Sequence, residues 1–317
     1  MYDDIRHLAD ENGIILRTDL LAVGGNDDTI RRLRAAKVIV RVRQGAYAIA
    51  GVWEARNREE RHLLLAKLAY HFSRTDIVLS HLSAAVIHGA PTWDLCLDEV
   101  HLTRLDRKAG RRQTGIVQHR GKLPESDVVV IDGHRVTTPT RTALDLTTVL
   151  DLEHSVPILD HFLHAGRTSP DSLNKGAKAM RMWANTLGTE LAVLFADGRR
   201  ESVGESRTAL MFRGSLIPQP EPQYEITDDA GHVFARVDFA WPELGVFLEF
   251  DGKVKYQKFL KDGEDVVDVV LREKKREERI CRLTGWRCIR ITWADLHRPQ
   301  ETLRYITSVL GGGPIHR

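Results

Sequence analysis

The sequence predicts a multi-domain chain of mixed α+β and α/β class, on three observations. At 317 residues it is long enough for two or three domains with ample core. Its 42% hydrophobic and 28% charged content is that of an ordinary globular protein. Helix-type and strand-type runs alternate along it in three blocks, over residues 1–51, 52–200 and 201–317. Other classes are excluded. There is no run of about 18 apolar residues, so no membrane partner is expected. The start, Met1-Tyr2-Asp3-Asp4-Ile5-Arg6, lacks the basic, then apolar, layout of a secretory signal, which makes cytoplasmic residence the expectation. Cys96, Cys281 and Cys288 are too few and too scattered for a disulfide framework or a zinc knuckle. A net charge of +2 decides little, because a nucleic-acid protein can hold a basic stripe inside a balanced total.

The first block reads as a winged helix-turn-helix. A helix through Ile5 and Leu8 ends near Gly13. Thr18 is placed to cap a second helix over 19–23, and Gly24-Gly25 makes the turn. Asn26, Asp27 or Asp28 then caps a third over 29–36. The run Val38-Ile39-Val40-Arg41-Val42-Arg43, a Gln44-Gly45 turn and Ala46-Tyr47-Ala48-Ile49 form a β-hairpin wing. Between Asn26 and Ala50 six cations (Arg31, Arg32, Arg34, Lys37, Arg41 and Arg43) face two acids, Asp27 and Asp28. The excess falls on the third helix and the wing, the elements that enter a groove and touch phosphates. Double-stranded DNA is therefore the expected partner, with Thr29 added at the start of the third helix. The plainer alternative is a solvated helical face.

The second block opens with an amphipathic helix over 55–73, with Leu64, Leu65, Leu68, Ala69 and Phe72 at helical spacing. Another helix follows over 80–88, closed by Gly89 and Pro91. Strand-type runs lie at 99–102, 115–119 and 128–131, and Thr138-Pro139 starts a helix carrying Arg141 and Asp145. His81 and His88, seven apart, would share a helix face, but no third ligand has suitable spacing and structural histidines are the better reading. Arg104, Arg107, Lys108, Arg111 and Arg112 around Gly110 read as a mobile basic loop, either solvated or touching nucleic acid or an acidic partner.

The third block carries the chemistry. The run Gly204-Glu205-Ser206-Arg207-Thr208-Ala209-Leu210-Met211 reads as a helix with Glu205 in its first turn, and 216–223, with Pro218, Pro220 and Pro222, as an extended connector. Then come two apolar strand-type runs, Val237-Asp238-Phe239-Ala240-Trp241 and Phe247-Leu248-Glu249-Phe250-Asp251-Gly252, around a reversal at Pro242-Glu243-Leu244-Gly245. Alternation turns Glu249 and Asp251 away from Phe250. A hairpin centred on Glu243-Leu244 sets Asp238 opposite Glu249. Facing acids repel. Such a pair is tolerated where a cation or a shared proton resolves the conflict, which reads as a Mg²⁺ or Mn²⁺ site with Asp238 and Glu249 as ligands. A helix over 266–283 stopped at Gly285, a strand over 287–292 and a helix over 299–310 complete the block.

Two resemblances follow from these motifs. The winged helix ending Val42-Arg43-Gln44-Gly45-Ala46-Tyr47, the run Leu79-Ser80-His81-Leu82-Ser83-Ala84-Ala85 with His88-Gly89, and Val136-Thr137-Thr138-Pro139-Thr140-Arg141-Thr142-Ala143-Leu144-Asp145 resemble the AbiEi-like type IV antitoxins over about the first 200 residues. That resemblance implies a DNA-binding autorepressor, an AbiEi-like domain over 52–200, and in some members a nucleotidyltransferase-type toxin as partner. Winged-helix repressors often bind paired half-sites as homodimers. Residues 201–317 resemble the very-short-patch-repair-endonuclease-like branch of the PD-(D/E)XK nucleases, an αβα fold. The match rests on Glu205, Val237-Asp238-Phe239, Glu249-Phe250-Asp251-Gly252, Arg272-Glu273-Lys274-Lys275-Arg276-Glu277, Gly285-Trp286-Arg287-Cys288-Ile289-Arg290 and Trp293-Ala294-Asp295-Leu296.

The nuclease resemblance implies Glu205, Asp238 and Glu249 as catalytic residues, to which the candidate set adds Asp251 and Lys274. It also asks for a lysine two residues beyond Glu249, where this chain has Asp251, and for proline before Asp238, where it has Val237. The proline is dispensable scaffolding. The lysine polarises the attacking water or stabilises the developing oxyanion. Lys274, Lys253 or Lys255 would have to replace it, with Lys274 preferred on a stripe facing the sheet. The alternative for the 273–279 run is a surface helix laced with ion pairs. Two functions remain open: a DNA-binding antitoxin and autorepressor, or a metal-dependent endonuclease targeted by the winged helix.

Overall fold

The computed structural model describes residues 3–106, 112–113, 115–228, 230–252 and 266–313. It is a mixed α/β chain with three sheets among the described residues. The chain divides into two compact units, residues 1–149 with 175–185, and residues 150–174 with 186–317. Residues 150–174 and 186–200, read from sequence with the middle block, thus pack within the second unit. No described helix is long and apolar enough to cross a membrane.

In the first unit a 3₁₀ turn (Asp3–Leu8) leads to strand β1 (Ile14–Leu16) and the helices Arg17–Ala22 and Asp27–Ala35, then strands β2 (Ile39–Arg43) and β3 (Ala46–Ile49). The hairpin falls where the Gln44-Gly45 turn predicts it, with Gly45 at φ +81°. Strand β1 was not anticipated; it pairs with β3 and gives the order β1-β3-β2. Because β1 runs straight into the next helix, Thr18 is not its cap. The N-cap is Leu16, whose N–H donates to the Asp19 carboxylate (3.3 Å). Asn26 caps the following helix by accepting from Thr29 N–H (2.9 Å). Ile5, Ile15, Leu20, Ile30, Leu33, Ile39 and Tyr47 form the core beneath.

The same unit continues with the helix Arg58–His71, opened by a capping box between Asn57 and Glu60. A six-stranded sheet follows, built from β4 (Ile77–Leu79), β5 (Val100–Arg104), β6 (Arg112–Gln113), β7 (Ile116–His119), β8 (Val128–Ile131) and β9 (His134–Thr137), in the order β6-β7-β5-β4-β9-β8. Strands β4 and β9 run parallel and feed the helices His81–Ile87 and Pro139–Leu146. Of the expected basic loop, residues 107–111 lie outside the described residues. Arg104 is not in a loop: it ends β5, ion-paired with Asp106 and donating to Gln118 (3.3 Å).

In the second unit strands β10 (Glu221–Thr227), β11 (Val233–Trp241), β12 (Val246–Asp251) and β13 (Arg287–Thr292) lie in sequence order. The first three are antiparallel and β13 runs parallel to β12. Part of the expected connector, from Glu221 on, is therefore strand. The β11–β12 register pairs Phe239 with Leu248, Ala240 with Phe247 and Trp241 with Val246, the centre predicted for the hairpin. Gly245 closes the reversal at φ +58°. Alternation then sorts β12. Val246, Leu248 and Phe250 face a core shared with Ala209 and Phe212 of the helix Val203–Phe212. Phe247 faces a core shared with Ile280 of the helix Val266–Thr284.

At Gly204 the helix Val203–Phe212 closely approaches β12: a Cβ there would lie 2.0 Å from Phe250 Cε1, and that ring is itself packed edge-on against Trp293 (5.2 Å). Gly204→Ala is expected to destabilise the unit by about 1–3 kcal/mol. Thermal unfolding checks it, and an unchanged midpoint would show that the two elements have room to part.

Candidate functional site

The carboxylate hairpin is the site the sequence singles out, and each acid in it has protein donors or cations around it. Glu205 sits at the third position of the helix Val203–Phe212, buried. It accepts from Ser202 Oγ (2.7 Å), Glu201 N–H (3.0 Å) and Gln223 Nε2 (2.8 Å). Burial, and then the charge of Asp238, push its pKa up. Asp238 lies on β11 and bonds Phe250, whose ring packs against Gly204, the residue before Glu205. Its Oδ2 accepts from the Phe250 N–H (2.8 Å). The paired register of β11 and β12 ends at Phe239 and Leu248, and beyond it the aspartate side chain serves as the acceptor for a strand N–H of β12.

Glu249 and Asp251 lie on the other face of β12, with Phe247 and the helix Val266–Thr284. Arg276 of that helix holds Glu249 (Nη1 to Oε1, 3.1 Å) and also donates to the carbonyl of Arg236 on β11. Arg290 on β13, in register with Glu249, reaches Asp251 at 3.9 Å and donates to Glu277 (2.7 Å). Lys274 is exposed. Helix phase takes Lys274 off the stripe expected to face the sheet: the turn-spaced positions Glu273, Arg276, Glu277 and Ile280 are the ones partly or fully buried. Lys253 and Lys255 lie outside the described residues.

A divalent-cation site needs several oxygens turned to one point and free to coordinate. Among the described residues no group of three or more His, Cys, Asp or Glu side chains could hold a metal ion. Asp238 and Glu249, the expected ligands, are engaged by an N–H and a guanidinium. As arranged among the described residues, the donor set does not fit Mg²⁺ or Mn²⁺.

The basic face of the first unit is built differently. Ile30 and Leu33 turn inward, which leaves Arg31, Arg32, Arg34, Lys37 and Arg41 exposed. Arg31 pairs with Asp28 (2.7 Å), an exposed pair of small energetic weight. Thr29 and Arg43 depart from the expectation. The Thr29 hydroxyl donates to Asn26 Oδ1 (3.0 Å) within the cap, and Arg43 is half-buried beside a bulge in β2, where burial lowers its pKa.

A third cluster escaped the sequence. His119 stacks on His81 (centroids 3.5 Å), and its Nε2 is hydrogen-bonded to His101 Nδ1 (3.0 Å). Ser80 accepts from Thr103 (2.8 Å) and lies 3.0 Å from His81 Nδ1. Burial and the neighbouring His119, His101 and Arg141 charges hold His81 far below the usual imidazole range, and burial brings His119 down to about 4. His88 is elsewhere, donating to the Thr137 carbonyl (2.7 Å), so His81 and His88 do not meet on a helix face. Histidines on two predicted strands were the available signal; the β5–β7 register that joins them was not legible.

With this geometry in view, comparison with known proteins is informative for part of the chain. Residues 56–190 match the family described as AbiEi antitoxin C-terminal domain. That supports the antitoxin side of the resemblance drawn from sequence. Two curated relatives, the uncharacterized proteins MT2308 and Rv2248 from two strains of Mycobacterium tuberculosis, are each 27% identical over 160 residues. The match takes in 46% of this chain and 59% of theirs, so the chain spans less than two thirds of the length of these relatives. Among solved structures, that of the RV2827C protein from Mycobacterium tuberculosis aligns with a TM-score of 0.42 at 14% identity, covering 71% of this chain and 86% of that one. This likeness is too loose to carry inference.

The histidine cluster gives a pH dependence with a definite sign. His119 titrates near 4 in the folded chain and near 6.5 unfolded, so its contribution is intact above about pH 6.5 and is lost as pH falls toward 4. The loss is on the order of 3 kcal/mol from this residue. Urea unfolding at pH 7.5 and pH 4.5 is expected to show it, and His119→Gln to flatten it; equal slopes in variant and wild type would dismiss the buried neutral imidazole.

Proposed function

We propose that the chain is a DNA-binding regulator of antitoxin type, its residues 1–51 acting as a winged helix-turn-helix. The observation that carries this reading is the exposed set Arg32, Arg34, Lys37 and Arg41, on the helix Asp27–Ala35, just beyond it and on β2. Helix and hairpin cations of this kind neutralise phosphates and position a recognition helix. The AbiEi antitoxin match over residues 56–190 supports the second half of the reading. An autorepressor acting as a homodimer on paired half-sites, with a nucleotidyltransferase-type toxin as protein partner, is the corresponding biology.

A second reading, a metal-dependent endonuclease in residues 201–317, has one observation in its favour. The helix that carries Glu205 packs at Gly204 against Phe250, the residue whose N–H donates to Asp238. The engagement of Glu249 by Arg276 weighs against it. The regulator reading predicts no Mg²⁺-dependent plasmid nicking above the level of Asp238→Ala.

Mobility shift of duplex DNA by the full chain, across a salt series, tests the regulator. Replacing Arg32, Arg34 and Arg41 together by alanine is expected to weaken binding at least about tenfold at moderate salt and to lower the salt slope by about 2–3. Equal affinity and slope in the triple variant would remove the basic face from the interface.

A further inference from the structure

We propose that Arg276 is, among the described residues, the resident cation of the carboxylate hairpin, holding by its guanidinium the position beside Glu249 that a divalent ion was expected to fill. The site is then neutralised by the protein itself. The proposal is independent of the DNA-binding reading, and its test uses no nucleic acid.

The geometry points to Arg276 on three grounds. First, its planar fork spans the place where the β11–β12 ladder gives out. One amino group meets Glu249 on β12 (3.1 Å), and the other meets the carbonyl of Arg236 on β11. Guanidinium suits that bridging role because it presents several donors in fixed directions and stays charged at any working pH. Second, the neighbouring acids are oriented by N–H and O–H donors. Asp238 is aimed at the Phe250 N–H, and Glu205 accepts three donors. A cation entering here would have to displace donors whose hydrogens point at the oxygens it needs. It would also approach a fixed positive charge. Third, the departure from the nuclease pattern is matched. Asp251 stands where the lysine was expected, and it faces Arg290, which is held by Glu277. Arginine on the helix and arginine on β13 thus take up the two functions, neutralising the acids and supplying a cation beside them, that a metal and a lysine would share.

Thermal unfolding of the full chain with and without Mn²⁺, at matched ionic strength, tests this. Wild type and E249Q are expected to show no Mn²⁺-dependent shift. R276Q, which removes the charge and leaves a shorter polar side chain, is expected to gain a rise of roughly 3 °C or more, absent from the R276Q/E249Q double variant. A wild-type rise that E249Q abolishes would overturn the proposal, since Glu249 would then bind metal with Arg276 in place. A folded R276Q that stays silent to Mn²⁺ would overturn it as well. Should R276Q not fold, wild type and E249Q decide alone: shared silence supports the resident arginine, and a response lost in E249Q refutes it.

Discussion

A carboxylate placed on an apolar strand must find donors for its oxygens, and the second unit is arranged around that requirement. Leaving such a charge unpaired away from water costs several kcal/mol or forces protonation. Strands β11 and β12 carry Asp238, Glu249 and Asp251 among residues such as Phe239, Phe247 and Leu248, which are almost wholly buried. Each acid recruits a different element: Asp238 the β12 backbone, Glu249 the helix Val266–Thr284, and Asp251 the neighbouring β13. The parallel crossover that returns the chain along β12 is what sets Arg290 beside Glu249. Charge compensation and topology are here one constraint.

The local parts of this arrangement were legible in the sequence and the distant ones were not. Proline at Pro242 and glycine at Gly245 mark a reversal, apolar runs flank it, and these suffice to centre the hairpin; the register agrees. Strand Arg287–Thr292 and helix Pro299–Leu310 have the bounds that a glycine stop, a β-type run and a proline start indicate. Short strands were missed where nothing local distinguishes them. Ile14–Leu16 and Ile77–Leu79 are three residues each and exist as strands because a partner pairs with them. Lys274, expected on the stripe facing the sheet, is exposed for a related reason: an amphipathic helix fixes the spacing of a stripe, while its phase depends on which residues the sheet accepts. Ile280 set that phase.

The basic face of the first unit was easier to read because its logic is local. The helix Asp27–Ala35 buries Ile30 and Leu33 at a spacing of three, which obliges the cations between and beside them to point outward. Asp27 and Asp28 in its first turn favour the helix dipole, and the arginines toward its end do the same. Thr29 shows the limit of such reading. A hydroxyl at the start of a candidate recognition helix is an attractive base contact, yet the same position is where a cap draws hydrogen bonds, and the cap takes it.

That distinction bears on the motif behind the antitoxin resemblance. Ser80, Ser83, Thr137 and Thr142 are fully buried, and Arg141 and Asp145 nearly so. They bond mainly to one another and to the strands they follow. Ser83 accepts from the His101 N–H (2.8 Å) and lies 2.9 Å from His62 Nε2, and since His62 Nδ1 donates to the Leu97 carbonyl, the serine hydroxyl donates to Nε2. Thr142 donates to the Thr137 carbonyl, and Arg141 links Asp145, Asp127 and the Lys122 carbonyl. Residues so committed brace the ends of β4 and β9 and the helices that leave them. The motif therefore specifies the fold that this domain needs. Side chains so deeply buried shape the domain from within rather than forming its surface.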